Sequence, residues 1–291
     1  MTFNPNAKID SGKVSKRGRT AAIGGGSVVV VVGLLLLSQL LGVDLTGLAG
    51  GSQGSDSAQD SAISCETGAD ANASVDCLIT GAATSLDVYW TTHAADVAAQ
   101  YRSPGDVILF DQSTTTGCGQ ATSAVGPFYC PPDEQIYLDT EFFDELRTRF
   151  GASGGTLSQM YVIAHEWGHH IQNLTGVLAS ENSSDTGPAS DSVRTELQAD
   201  CYAGAWVGAA STIADENGTT FLEPVTSQQI ADALNAASVI GDDRIQQQSG
   251  GQVNPEAWTH GSSQSRQTWF ETGLSGGPAS CDTFAVGADR L

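Results

Sequence analysis

Three of the five histidines in this 291-residue chain, His165, His169 and His170, fall within six positions, in the run "YVIAHEWGHHIQ" from Tyr161 to Gln172. On a helix, His165 and His169 lie one turn apart in height and about 40° apart around the axis. Two imidazole nitrogens so placed can close on one zinc ion, while Glu166, one step around, reaches a water on the same ion. This is the H-E-x-x-H arrangement. Zinc lowers the pKa of such a water to about 7 and polarises a carbonyl, and the glutamate carries the proton to the leaving amine.

A catalytic zinc needs a third protein ligand and one open position. In "RTELQAD", Glu196 and Asp200 are again four apart. Glu196 can bind the metal while Asp200 hydrogen-bonds the outer nitrogen of a ligand histidine, fixing its tautomer. Asp200 as the ligand in place of Glu196 is the alternative. The bland reading, a helix face merely decorated with histidines, accounts for one such pair but poorly for two. A longer pattern with a third histidine six residues beyond His169 is excluded, because that position is Thr175. His170 points about 100° away from His169 and cannot share the ion, so it is expected at the surface or supporting a ligand. Trp167 is expected on the rear face of the helix, and Gly168 where another element comes close.

Peptide hydrolysis also needs a donor to the developing oxyanion. His260, in "THGSSQSR", is the first candidate, against a bland role in a turn at a helix entry. Tyr129 and Arg266 follow, and for Arg266 a salt bridge in an acid-rich domain is the competing role. No function is assigned to His93.

"AHEWGHHIQ" followed by "ELQADCYAGAW" resembles the bacterial neutral zinc metallopeptidase family of single-pass membrane proteins. The likeness extends to "GPFYCPPDEQIYLD" upstream and to "WTHGSSQSRQTWFETG" and "CDTFA" near the end. More broadly the chain is similar to the gluzincins, in which the glutamate of E-x-x-x-D is the third ligand. The resemblance implies a zincin-like fold and one zinc per chain held by His165, His169 and Glu196, with Glu166 as general base and Asp200 behind a ligand.

The elements that must position these residues are mostly helical. Apolar spacing predicts helices through "LITGAATSLDVYWTTHAADVAAQY", through "TEFFDELRTRF" behind a Thr cap, and over about Leu157–Leu174. Further helices are expected over about Ser190–Ala214, Gln228–Ser238 and Ser262–Glu271. "DVILFD" reads as a buried strand, and "GPFYCPPDEQIYLD" as two extended pieces around a Pro-Pro turn. The fold class is α+β, mostly α, with a few short strands.

Charge and cysteine usage set the compartment. The first nineteen residues hold five of the twelve basic side chains and one acid, whereas everything after Val43 carries seven arginines, no lysine and 32 acids. So negative a surface disfavours nucleic acid. Thr20 to Asp44 encloses 23 residues without charge, able to span about 35 Å as a helix. The segment is read as a transmembrane helix, with a cleaved signal peptide as its rival. The basic cluster on its amino side places the N-terminus in the cytoplasm. Six cysteines follow, Cys65 and Cys77, Cys118 and Cys130, then Cys201 and Cys281, a pattern of disulfides in an oxidising compartment; six reduced, buried thiols are the alternative.

The expected organisation is a cytoplasmic basic tail (1–20), a transmembrane helix (21–43), a flexible linker (44–62) and an extracytoplasmic ectodomain (63–291). The function expected is a cell-membrane zinc peptidase acting on peptide or protein substrates. A zinc amidase acting on cell-wall polymer, and a catalytically silent binding or assembly protein at the cell surface, are the alternatives.

Overall fold

The computed structural model describes residues 2–17, 60–180, 182, 184–250 and 252–291. The expected transmembrane helix lies outside them, as does most of the linker. Among the described residues no helix is long and apolar enough to cross a membrane.

Short apolar and aromatic runs build the centre and one side of the sheet, and the polar segments VSKR and DSA the other. Its strands are β1 (Val14–Arg17), β2 (Asp60–Ala62), β3 (Val107–Phe110), β6 (Phe128–Cys130) and β7 (Gln135–Asp139), while β4 (Ser113–Thr116) and β5 (Gly119–Thr122) form a separate hairpin. The five-stranded order is β2-β1-β3-β7-β6. β1, β3 and β7 run parallel, and β2 and β6 flank them antiparallel. β3 is buried along its whole length, as the continuous apolar run "VILF" requires of a strand covered on both faces.

The helices are α1 (Gly68–Ala71), α2 (Val75–His93), α3 (Phe142–Thr148), α4 (Thr156–Thr175), α5 (Val177–Ser180), α6 (Asp191–Ala209), α7 (Ser227–Val239), α8 (Asp242–Gln248) and α9 (Ser263–Gly276). Side-chain caps set several starts. Ser74, Ser190 and Ser262 accept from Cys77, Val193 and Ser265 respectively, each occupying a backbone N–H that the helix leaves open. α4 stops at Gly176, whose φ of 81° is left-handed. The Thr cap expected on α3 is absent: its cap position is Glu141, without a side-chain bond. α2 ends at His93, eight residues short of Tyr101, because a 3-10 turn follows and Ala98 turns left-handed at φ 58°.

Glycine lets the central helices touch. A Cβ on Gly273 of α9 would lie 1.8 Å from the carbonyl oxygen of Cys201 in α6, and one on Gly204 would lie 2.0 Å from that of Phe270. The two backbones therefore meet without side chains between them, and the Cys201–Cys281 disulfide ties α6 to the segment that follows α9. Cys65–Cys77 and Cys118–Cys130 are also bridged, and among the described residues no cysteine is free.

Residues 2–17 and 60–62 differ from expectation. Read from sequence as a tail and the end of a linker, they are part of the fold. Phe3, Ala7, Ile9 and Val14 are buried in the same core as α2 and α4. Asn72 clamps the backbone of Phe3, accepting from its N–H at 2.9 Å and donating to its carbonyl at 2.8 Å. The physical reason is complementarity. The basic segment meets an acidic body: Lys13 pairs with Asp87 at 3.0 Å and Lys16 with Asp76 at 2.8 Å. Burial of Phe3 alone is worth about 1.5–3 kcal/mol.

Candidate metal centre

α4 and α6 cross at Gly168. A Cβ there would lie 3.0 Å from the Cα of Ala199 and 3.1 Å from its carbonyl oxygen, so the two helices pass with little more than a hydrogen's width to spare at this point. The approach brings the two i, i+4 pairs together. His165 Nε2 lies 3.2 Å from Glu196 Oε2, and His169 Nε2 lies 3.6 Å from Glu196 Oε1. One ligand atom from each of His165, His169 and Glu196 falls within 4.8 Å of the others, a group able to hold one metal ion. Two imidazoles and a carboxylate are the donor set that zinc accepts at a site with a position left open.

The outer ring nitrogens are occupied. His165 Nδ1 faces Asp200 Oδ1 at 2.8 Å, and His169 Nδ1 faces Gln172 Oε1 at 2.8 Å. Both histidines thereby turn Nε2 towards Glu196. Behind Asp200, Arg266 of α9 donates from Nε at 2.7 Å and from Nη2 at 3.0 Å, and Tyr161 donates its hydroxyl hydrogen to the same carboxylate. Arg266 and Asp200 are both buried. Burial works against the charge on Asp200, but Arg266 and His165 hold its pKa below the ordinary carboxylate value. Burial likewise opposes a charged His165, yet Asp200 and Glu196 push its pKa up to about 10.

Glu166 stands beside this group without joining it. Its carboxyl is buried, which raises its pKa against the pull of His169 and His165, and the backbone amide of Tyr129 in β6 faces it. β6 is the last strand of its sheet, paired only with β7 among the described strands.

His260 sits in the turn between α8 and α9. Asp242, buried at the start of α8, gathers that turn by accepting from the backbone N–H groups of Thr259, His260 and Gly261 at 2.8, 2.7 and 3.0 Å. The other oxygen of Asp242 faces His260 Nδ1 at 3.4 Å. Burial opposes a charged His260, but Glu196 and Asp242 raise its pKa above the ordinary value. The ring is thus close enough to Glu196 to feel its charge.

The other sequence candidates have different positions. Arg266 is committed to Asp200 and Tyr161, the salt-bridge role. The Tyr129 hydroxyl lies 3.0 Å from both His170 Nδ1 and Asn173 Nδ2, so it braces α4. His170 is fully buried rather than at the surface, bonded also to the carbonyl of Arg102 at 2.8 Å. Trp167 is buried in the core behind the helix, and His93 pairs with Asp96 far from the group. Sequence reasoning missed Gln172, Asp242 and Tyr161. Gln172 had a signal: an amide three residues after His169, on the same face. Asp242 had none, lying 18 residues from the histidine it faces.

The chain matches the model of a family described as "Putative neutral zinc metallopeptidase" over residues 5–284. It is 50% identical over 224 residues to the uncharacterized protein Rv2575 of Mycobacterium tuberculosis strain H37Rv, covering 76% of this chain and 75% of that one. It is 38% identical over 286 residues to the uncharacterized protein YpfJ of Escherichia coli K12, covering 96% and 90%. No solved structure matches.

Proposed function

The chain belongs to this neutral zinc metallopeptidase family, and from that membership and the geometry of the metal centre we propose that it is a zinc-dependent peptidase. His165, His169 and Glu196 hold one zinc ion, and Glu166 is the general base. The observation that carries the reading is a group of three metal-binding side chains with a fourth, ionisable one beside it and outside it. A purely structural site fills its positions with protein and has no use for such a carboxyl.

Zinc in the triad supplies Lewis acidity, polarising a carbonyl and acidifying water. Glu166 takes the proton of the attacking water and delivers it to the leaving amine. Its burial, by raising its pKa, makes it the stronger base. Asp200 and Gln172 keep the ligand rings oriented, and Arg266 keeps Asp200 ionised. His260, turned by Asp242, donates to the oxyanion. A peptide is favoured as substrate because β6, the last of the described strands in its sheet, lies next to Glu166, and an extended chain can add to a sheet through its own backbone.

The proposal extends to location. The uncharged stretch 21–43 attaches the chain to a membrane, and the metal centre works outside the cytoplasm, which three disulfides support. Turnover of an unfolded protein by the purified chain, before and after chelation and with zinc restored, tests the metal. Glu166→Gln tests the base: zinc should stay bound while turnover falls about 10²- to 10⁴-fold. Equal rates in variant and wild type, both zinc-loaded, would remove this mechanism.

A further inference from the structure

β1 and β2 pair antiparallel with Arg17 opposite Asp60, so the chain leaves the fold and re-enters it at neighbouring positions. β1 is not a loose edge. Its other side pairs in parallel with β3, placing Val14, Ser15 and Lys16 opposite Val107, Ile108 and Leu109. Before it, Phe3 is buried and clamped by Asn72, its backbone bridges to Leu222, and the N–H of Lys8 donates to Asp215 at 2.9 Å. Residues 2–17 are therefore tied to the end of α1, to β3 at the centre of the sheet and to the chain after α6. Docking by one flexible contact would not produce this.

The sequence between the paired residues holds one apolar stretch, 21–43, whose length suits a single bilayer crossing of about 30 Å. One crossing would put Arg17 and Asp60 on opposite faces, about 30 Å apart, where paired strands hold neighbours about 5 Å apart. A second crossing would have to use residues 44–59, which contain Asp44 and Asp56 and no apolar run of about 20 residues. We infer that residues 2–17 lie on the same side of the membrane as residues 60–291. The cytoplasmic amino end expected from the basic cluster is thereby replaced. Those lysines are held by carboxylates of the domain instead of remaining behind as a charge anchor. The inference rests on the membrane attachment proposed above only in supposing a membrane to take sides against.

The test uses the full chain in cells. Because the described cysteines are all bridged, Asn6→Cys and Glu271→Cys each introduce one exposed thiol, to be labelled with a membrane-impermeant maleimide before and after lysis. Both labelled in intact cells is the expected result. Loss of labelling at Asn6→Cys alone, restored by lysis, would overturn the inference. Both shielded until lysis would keep the shared side and withdraw the extracytoplasmic placement. A chain found wholly outside the membrane fraction would likewise keep the inference and withdraw the attachment. An independent reading is hydrogen exchange on the purified full chain: the amides of β1 should be as slow as those of β3, and exchange at loop rates would sink the proposal.

Discussion

At the level of single residues, the centre depends on charges that compensate one another out of water. Arg266 is buried with Asp200 as its carboxylate partner, and Asp200 also orients His165. Asp200→Asn leaves the guanidinium without a counter-charge, which costs about 3–5 kcal/mol. The same change loosens a ligand, so zinc affinity should fall about 10- to 100-fold. Thermal unfolding and zinc titration of one variant read both effects. On the proposed mechanism, in which His260 donates to the oxyanion, His260→Ala should keep its zinc and slow turnover about 10²- to 10³-fold, checked by metal content beside kcat/KM. Zinc lost from that variant would make His260 a ligand or a folding residue instead.

Helices and turns carry the next level. α4 and α6 meet at Gly168, where a Cβ would already be only 3.0 Å from Ala199, so the bulk of Gly168→Leu should push them apart, at a cost of about 1–3 kcal/mol. Because the metal-binding group straddles that crossing, stability and zinc affinity should fall together. A variant that loses stability and keeps its zinc affinity would show that the spacing does not set the site. The α8–α9 turn has a pH signature. Burial opposes the charge on Asp242, yet His260 and the amides of the turn hold its pKa below its ordinary 3.8. A depressed folded pKa contributes stability that is complete above the unfolded value and is lost as pH falls through the folded one. Asp242→Asn should therefore be less stable than wild type at neutral pH and show a shallower loss on acidification, as followed by urea unfolding across that range.

Considered whole, the molecule is an acidic body stapled by three disulfides and completed by a basic strap from its own amino end. Cys201–Cys281 joins α6, the helix bearing Glu196 and Asp200, to a C-terminal segment 80 residues away. That segment also reaches the centre through polar contacts. Gln172, which accepts from His169, donates to Gln198 at 3.1 Å, and Gln198 donates to the carbonyl of Cys281 at 3.0 Å. Replacing both cysteines by serine should cost about 2–5 kcal/mol and lower the zinc affinity, with reduction of the wild type moving both in the same direction.

The grouping of the candidate ligands was legible in the sequence because an i, i+4 spacing is local: once each run is helical, His165 faces with His169 and Glu196 with Asp200, whatever surrounds them. Helix identity and the cysteine partners were legible for related reasons, apolar period and even spacing. What the linear order could not carry was distance between remote positions. That Arg266 backs Asp200 depends on the glycine-lined α6–α9 crossing, and that Asp242 holds His260 and that His170 turns inward to Tyr129 and Arg102 depend on segments brought together only in three dimensions. The packing of the amino end was hidden for the same reason: five basic residues before an apolar stretch look like a free tail, until the core that buries Phe3 and the carboxylates that meet Lys13 and Lys16 are assembled around them.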